Sequence, residues 1–328
     1  MKVSELLERR RQNWQALERL CEQAQFRRRR RLGAAAVAQL ASLYRAACAD
    51  LALADAYQLP PSTVQYLHRL VGRAHNQLYR SRGFHVSAWG RKLLVDAPQR
   101  IFRDRCVQLA FCVFWGTFLI SFFLACSKAL FPGYAEQLLS EDFLRQLESN
   151  FADPIGDRDP SLNYAMAGFY IRHNTGIGLK CFASGLLVVP GLFICLYNAA
   201  FLGGAFGYMA RPEVAEGAHF FHFVTAHGPF ELTAIVLSAG SGLRLGWSWI
   251  HTGGLARLAS LRKAAEECMP VIGAMMVLFF LAALIEGFLS PSSAPYAVKA
   301  GVAILSSGGL MFYFVVLGFP RRGSRAVR

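Results

Sequence analysis

His227 and Glu231 are four residues apart, which places an imidazole and a carboxylate on one face of a helix. Gly228 and Pro229 lie between them, and the apolar run Leu232–Ile250 follows at once. An ionisable pair at the mouth of a membrane span is a candidate for handling a proton or an ion. A simpler reading also accounts for it. Pro229 suits a first helical turn with Gly228 as cap, and Glu231 would then sit where the helix dipole favours a carboxylate. The residues alone admit both readings.

Neighbouring histidines widen the set. His219, His222, His227 and Glu231 fall within thirteen residues and offer nitrogen and oxygen donors of the kind zinc takes. The spacing is not the His-Glu-x-x-His of a zinc-protease helix. His219 and His222 also stand among Phe220, Phe221 and Phe223, as aromatic-belt residues would. The bare sequence therefore assigns no metal and no cofactor. It assigns no catalytic residue either, because there is no nucleophile elbow, phosphate-cradling loop or paired acidic motif. The expectation is a protein that is not an enzyme.

The run after Glu231 is rich in small residues: Ser238, Gly240, Ser241, Gly242 and Gly246. Gly242 and Gly246 form a GxxxG pair, which lets helix backbones approach closely. Arg244 lies between them. It must snorkel to the span's end or meet an acid such as Glu231 or Glu286 from another helix. Within one helix it cannot reach Glu231, because thirteen positions span about 20 Å. Glu286 and Lys299 lie on successive apolar runs and read as an ion pair near their connecting turn. Asn198, ahead of Gly203-Gly204, is placed to hydrogen-bond across a tight helix contact.

These residues need a membrane scaffold to position them, and the composition supplies one. Of 328 residues, 54% are hydrophobic and 17% charged. Residues 1–105 hold 20 Lys/Arg against 8 Asp/Glu, and the long apolar runs come later. This divides the chain into a basic helical domain over 1–105, a transmembrane domain over 106–320 and a basic tail over 321–328. No signal peptide precedes the Arg27–Arg31 run, so the N-terminus is expected in the cytoplasm. The arginines are scattered, without an aromatic platform, which argues for anionic lipid headgroups and against nucleic acid. The eight cysteines stand singly and suggest neither disulfides nor a thiolate metal site.

The elements follow from periodicity. In the basic domain, Trp14, Leu17 and Cys21 recur at helical spacing. Val37, Leu40, Tyr44, Ala47 and Leu51 do the same, and so do Val64, Leu67, Val71, Ala74 and Leu78 after the break at Pro60-Pro61. Three antiparallel helices result, the third capped by Ser62 or Thr63. Spans are predicted over Cys106–Phe131, Phe230–Ile250, Pro270–Leu289 and Tyr296–Phe319. Residues 161–210 form either one long span kinked at Pro190 or two crossings. Ala218–Ala226 reads as a re-entrant half-helix. The segment 132–160 is acidic, with an amphipathic helix through Leu138, Leu139, Phe143, Leu144 and Leu147 that lies on the outer surface or docks on a partner. The fold class is all-α: a polytopic helical membrane protein with five or six crossings.

Several of these segments together resemble the stage II sporulation protein M family. They are Tyr44-Arg45 with Asp50-Leu51, Tyr66-Leu67, Ala74-His75, Asn198–Gly203, His227–Leu232 and Ala239–Gly246. The chain departs from the family pattern at Asn198-Ala199, where Asn-Gly is common. The resemblance implies a helical membrane protein without enzymatic activity, in the bacterial inner membrane. The family's namesake is a scaffold that recruits peptidoglycan-remodelling partners, and relatives are often encoded near AAA ATPases. It therefore implies an oligomeric scaffold or assembly component of an envelope complex, with His227, Gly228, Glu231, Gly242 and Gly246 as its key positions. A transporter with a polar path near Glu231 and Arg244 is the alternative.

Overall fold

The structure is a computed structural model that describes residues 3–26, 34–79, 86–129, 131–154, 156 and 160–319. The arginine run Arg27–Arg31 and the basic tail 321–328 lie outside the described residues. Every regular element among the described residues is a helix. The chain divides into two compact units, Met1–His85 and Val86–Arg328.

The first unit contains α1 (Val3–Phe26), α2 (Ala34–Ala56) and α3 (Pro61–Leu78). The apolar stripes read from the sequence meet in its core, where Trp14, Leu17, Cys21, Leu40, Ala47, Leu67, Leu70 and Ala74 are buried. One carboxylate is buried with them. Asp50 accepts a 2.8 Å hydrogen bond from the Trp14 indole and is ion-paired with Arg10, so its charge is compensated. A second link joins α1 to α3, where Glu18 pairs with Arg73 and accepts from the Tyr66 hydroxyl at 3.2 Å. Neither Ser62 nor Thr63 caps α3. Pro60 holds the cap position without a side-chain bond, and Pro61 opens the helix, where its missing N–H costs nothing.

The second unit begins with α4 (Val86–Arg91), a π-helical turn (Lys92–Asp96) and α5 (Ala97–Arg103). Charge alone put the domain boundary at Arg105, but these residues pack on the apolar helices. The Tyr313 hydroxyl donates to the Leu93 carbonyl, and the Phe102 and Phe319 rings meet at 5.8 Å. Asp104 then caps α6 (Arg105–Cys126) by accepting from the Cys106 N–H at 2.8 Å.

The acidic segment forms two short helices, α7 (Tyr134–Leu139) and α8 (Glu141–Asn150), in place of one. They part at Ser140, whose φ of +67° is left-handed. Their apolar faces are covered by the chain's own helices: Leu139 and Leu144 pack with Ala125 and Ala205, and Phe143 with Phe201.

The long helices are α9 (Pro160–Gly185), α10 (Val188–Met209), α12 (Gly228–Ile250), α13 (Arg257–Leu284) and α14 (Tyr296–Met311), with the eight-residue α11 (Gly217–Val224) before α12. The last two long helices end in π-helical turns, Ile285–Leu289 and Phe312–Val316. Among the described residues, four helices are long and apolar enough to cross a membrane, and five when α11 and α12, bent by 68°, count together. α9 has the length, 26 residues, but carries Arg172, His173, Asn174 and Lys180.

Contacts resolve the 161–210 region into two antiparallel helices. Asn198 of α10 reaches back to Cys181 of α9, and Gly191 lies against Gly185. The turn is at Leu186-Leu187, and Pro190 falls in the first turn of α10, where it is tolerated, so it is not a kink. With α9 included, six helices run between the same two ends. One end gathers Asp104, the Leu186-Leu187 turn, the α12–α13 connection and the end of α14. The other gathers α7, α8, residues 210–217 and the turn at Ser290.

Candidate functional site

α12 is the central element because its small residues admit neighbouring backbones. A Cβ at Gly242 would overlap the Phe182 carbonyl oxygen, and one at Gly246 would overlap the Gly185 carbonyl. A Cβ at Gly240 would fall 2.7 Å from the Val107 Cα. These three glycines seat α12 on α9 and α6. On the far side of α6, Gly203 and Gly207 of α10 approach the Phe118 and Phe122 carbonyls in the same way.

Gly228 is different: nothing lies within 4 Å of a Cβ built there. It is the first residue of α12, and His227 rather than Gly228 holds the cap position, with no side-chain cap bond. The His227 ring is turned inward and is 4% exposed. Its Nδ1 lies 3.0 Å from the Ser290 hydroxyl and its Nε2 lies 3.7 Å from the Glu231 carboxylate. The Phe223 ring of α11 covers it edge-on at 5.7 Å.

A third group completes the cluster. Glu286 lies in the π-helical turn that ends α13 and is buried. One donor atom from each of His227, Glu231 and Glu286 falls within 4.8 Å of the other two. Asn174 of α9 donates to Glu286 at 3.0 Å. π-Helical turns inside helices are frequent at functional sites, because the extra residue re-aims side chains. The sequence reading paired Glu286 with Lys299, and the structure corrects it. The Lys299 ammonium is fully buried and donates to the carbonyls of Ser290 at 2.7 Å and Ser292 at 3.0 Å. Those carbonyls close a turn that no helix serves, so a cation there satisfies both.

The other histidines leave the cluster. His219 Nδ1 meets the Phe151 carbonyl at 2.8 Å, and His222 Nε2 meets the Ala294 carbonyl at 3.1 Å. They hold α11 across the end of the bundle. Arg244 is at the opposite end of α12, between Glu267 at 3.1 Å and Asp104 at 3.7 Å. Neither Glu231 nor Glu286 is its partner. Asn198 turns mainly to its own helix, donating to the Ile194 carbonyl at 2.8 Å, with Cys181 Sγ of α9 at 3.7 Å.

Sequence reasoning missed Glu286, Asn174 and Ser290 as members of one site. Glu286 was visible as an ionisable group inside an apolar run, but its partners lie on elements 55 and 112 residues away. Arg211, 3% exposed, was also missed. It donates to the Ala125 carbonyl at 2.7 Å, pairs with Glu136 at 3.0 Å and stacks over Tyr208. Burial pushes the Glu136 carboxyl up, but a backbone hydrogen bond and Arg211 outweigh it and hold it below the usual carboxylate range.

No curated protein and no solved structure matches the chain. Residues 4–80 match a domain of unknown function, DUF8413, and so cover the first compact unit. Residues 109–291 match Stage II sporulation protein M, a stretch that runs from α6 through Glu286 and Ser290 and takes in every member of the cluster. By that match, over more than half of its length, the chain belongs to the stage II sporulation protein M family of membrane proteins.

Proposed function

We propose that the protein is a non-enzymatic scaffold, an assembly component of an envelope complex that works as a homo-oligomer in the bacterial inner membrane. The observation that carries this reading is α14. Together with the turn that ends it, it is almost wholly uncovered by the rest of the chain, and Gly301, Gly308 and Gly309 have no neighbour within 4 Å of a Cβ. A helix of this kind meets either lipid or another helix, and small residues favour close approach by a second copy. The helices α6, α9, α10 and α12 are interlocked through glycine-to-backbone contacts, which suits a rigid platform.

Charge supports the orientation. Arg100, Arg103, Arg105, Arg257, Arg262 and Lys263 belong to one end of the bundle, and the acidic α7–α8 segment to the other. The positive-inside rule then puts the first end, and the N-terminal unit that precedes it, in the cytoplasm. AAA ATPase-associated proteins are the class of partner proposed for that side.

The transporter reading draws on the intramembrane carboxylates Glu231 and Glu286. Its polar path was to join Glu231 to Arg244, yet Leu232, Ala234–Leu243 and the helices against them form a buried core between the two. Native mass spectrometry of the protein in nanodiscs tests the scaffold. Two or more chains per particle are expected, falling to one in a Gly301→Leu/Gly308→Leu variant. A wild-type monomer would refute the oligomer.

A further inference from the structure

We propose that His227, Glu231 and Glu286 bind a divalent transition-metal cation, of the Zn²⁺ or Mn²⁺ class, and that the ion ties the α11–α12 junction to the end of α13. The donor set is one imidazole nitrogen and two carboxylates from separate elements. Such mixed donors suit Zn²⁺ and Mn²⁺ better than the all-oxygen cations. Bonds of about 2.1 Å place tetrahedral ligand atoms roughly 3.4 Å apart. His227 and Glu231 already stand at 3.7 Å, and all three ligand atoms lie within 4.8 Å of one another, about 1.4 Å beyond that spacing at most.

Outer contacts of the kind that orient metal ligands are in place. With Ser290 Oγ accepting from Nδ1–H, the His227 lone pair lies on Nε2, toward Glu231. Asn174 holds one Glu286 oxygen and leaves the other free to ligate. Two carboxylates sharing a buried site stay ionised together only with compensating positive charge, and a divalent ion cancels them in full. Among the described residues no lysine or arginine forms an ion pair with Glu231 or Glu286. Lys299, on the adjoining helix, is committed to the Ser290 and Ser292 carbonyls. His219 and His222 are held by carbonyls and lie outside the trio.

The test uses the full chain without a histidine tag, in nanodiscs, stripped with a chelator and titrated with ZnCl₂ or MnCl₂ alone against a competing dye. One equivalent per chain is expected. Glu286→Gln and His227→Gln should each weaken binding by more than the roughly 10–100-fold typical of outer-shell changes, Asn174→Ala should fall within that range, and His219→Gln/His222→Gln should leave it unchanged. Co²⁺ loading should give no thiolate charge-transfer band. Failure of the folded wild-type protein to take up either ion in stoichiometric amount would overturn the proposal, whether or not the variants fold. So would unchanged uptake in Glu286→Gln and His227→Gln, or a thiolate band.

Discussion

At Asp50, Lys299 and Arg211 buried charge is met by a specific partner, and the partner's chemistry differs from site to site. Asp50 has an arginine and an indole N–H, Lys299 has two carbonyls, and Arg211 has a carbonyl, a carboxylate and an aromatic face. The Arg211–Glu136 pair gives a direct prediction. Glu136→Gln leaves the guanidinium buried without a counter-charge, which should cost about 1–3 kcal/mol, less than a fully buried pair because Glu136 is partly exposed. Its folded carboxyl is held low. The pair's contribution is therefore fully present above the unfolded value of roughly 4.3, and is lost as the pH falls through the lower folded value. The difference in melting temperature between wild type and Glu136→Gln should be constant from pH 7 to about 5 and shrink below about 4. The sequence displayed His227 and Glu231 as a pair because helical periodicity puts neighbours four residues apart. It could not display Glu286 with them, because no local rule connects α12 to a π-helical turn at the end of α13.

Helices supply the geometry, and glycines decide how closely they meet. Gly242→Ala would drive a methyl group into the Phe182 carbonyl of α9, backbone against backbone, where no rotamer change gives relief. A loss of about 1–3 kcal/mol is expected, read as a lower melting temperature in detergent. Gly228→Ala is the contrast. Its methyl meets open space at the start of α12, so stability should be unchanged or raised by up to about 1 kcal/mol. Destabilisation at Gly228 equal to that at Gly242 would contradict the packing account. Both glycines were noticed in the sequence, but only the GxxxG pair had a spacing that named its role. The α9–α10 turn was hidden for a related reason. Leu186-Leu187 carries no turn chemistry, whereas Pro190 drew attention as a kink and is accommodated in a first turn. The amphipathic run in 132–160 was legible as apolar, but its break at Ser140 depends on a left-handed residue that composition does not announce.

At the scale of the molecule, the division into a basic helical unit and an apolar bundle was plain from charge and hydropathy. The boundary moved because residues from Val86 onward, Leu93 and Phe102 among them, already belong to the apolar bundle. Residues 1–85 are therefore expected to fold alone, giving a helical, cooperative thermal transition by circular dichroism. Replacing the buried Leu67 by Ala should cost about 2–5 kcal/mol in that fragment. A fragment without a cooperative transition would show that it needs the membrane unit. On the scaffold reading proposed above, the buried core between Glu231 and Arg244 leaves no polar path among the described residues. Ion flux through purified protein in liposomes tests it most directly. Under a proton or potassium gradient, flux should equal that of empty liposomes in both wild type and Glu231→Gln. Flux above that baseline in the wild type, lost in Glu231→Gln, would contradict the account and make the cluster part of a conduction path.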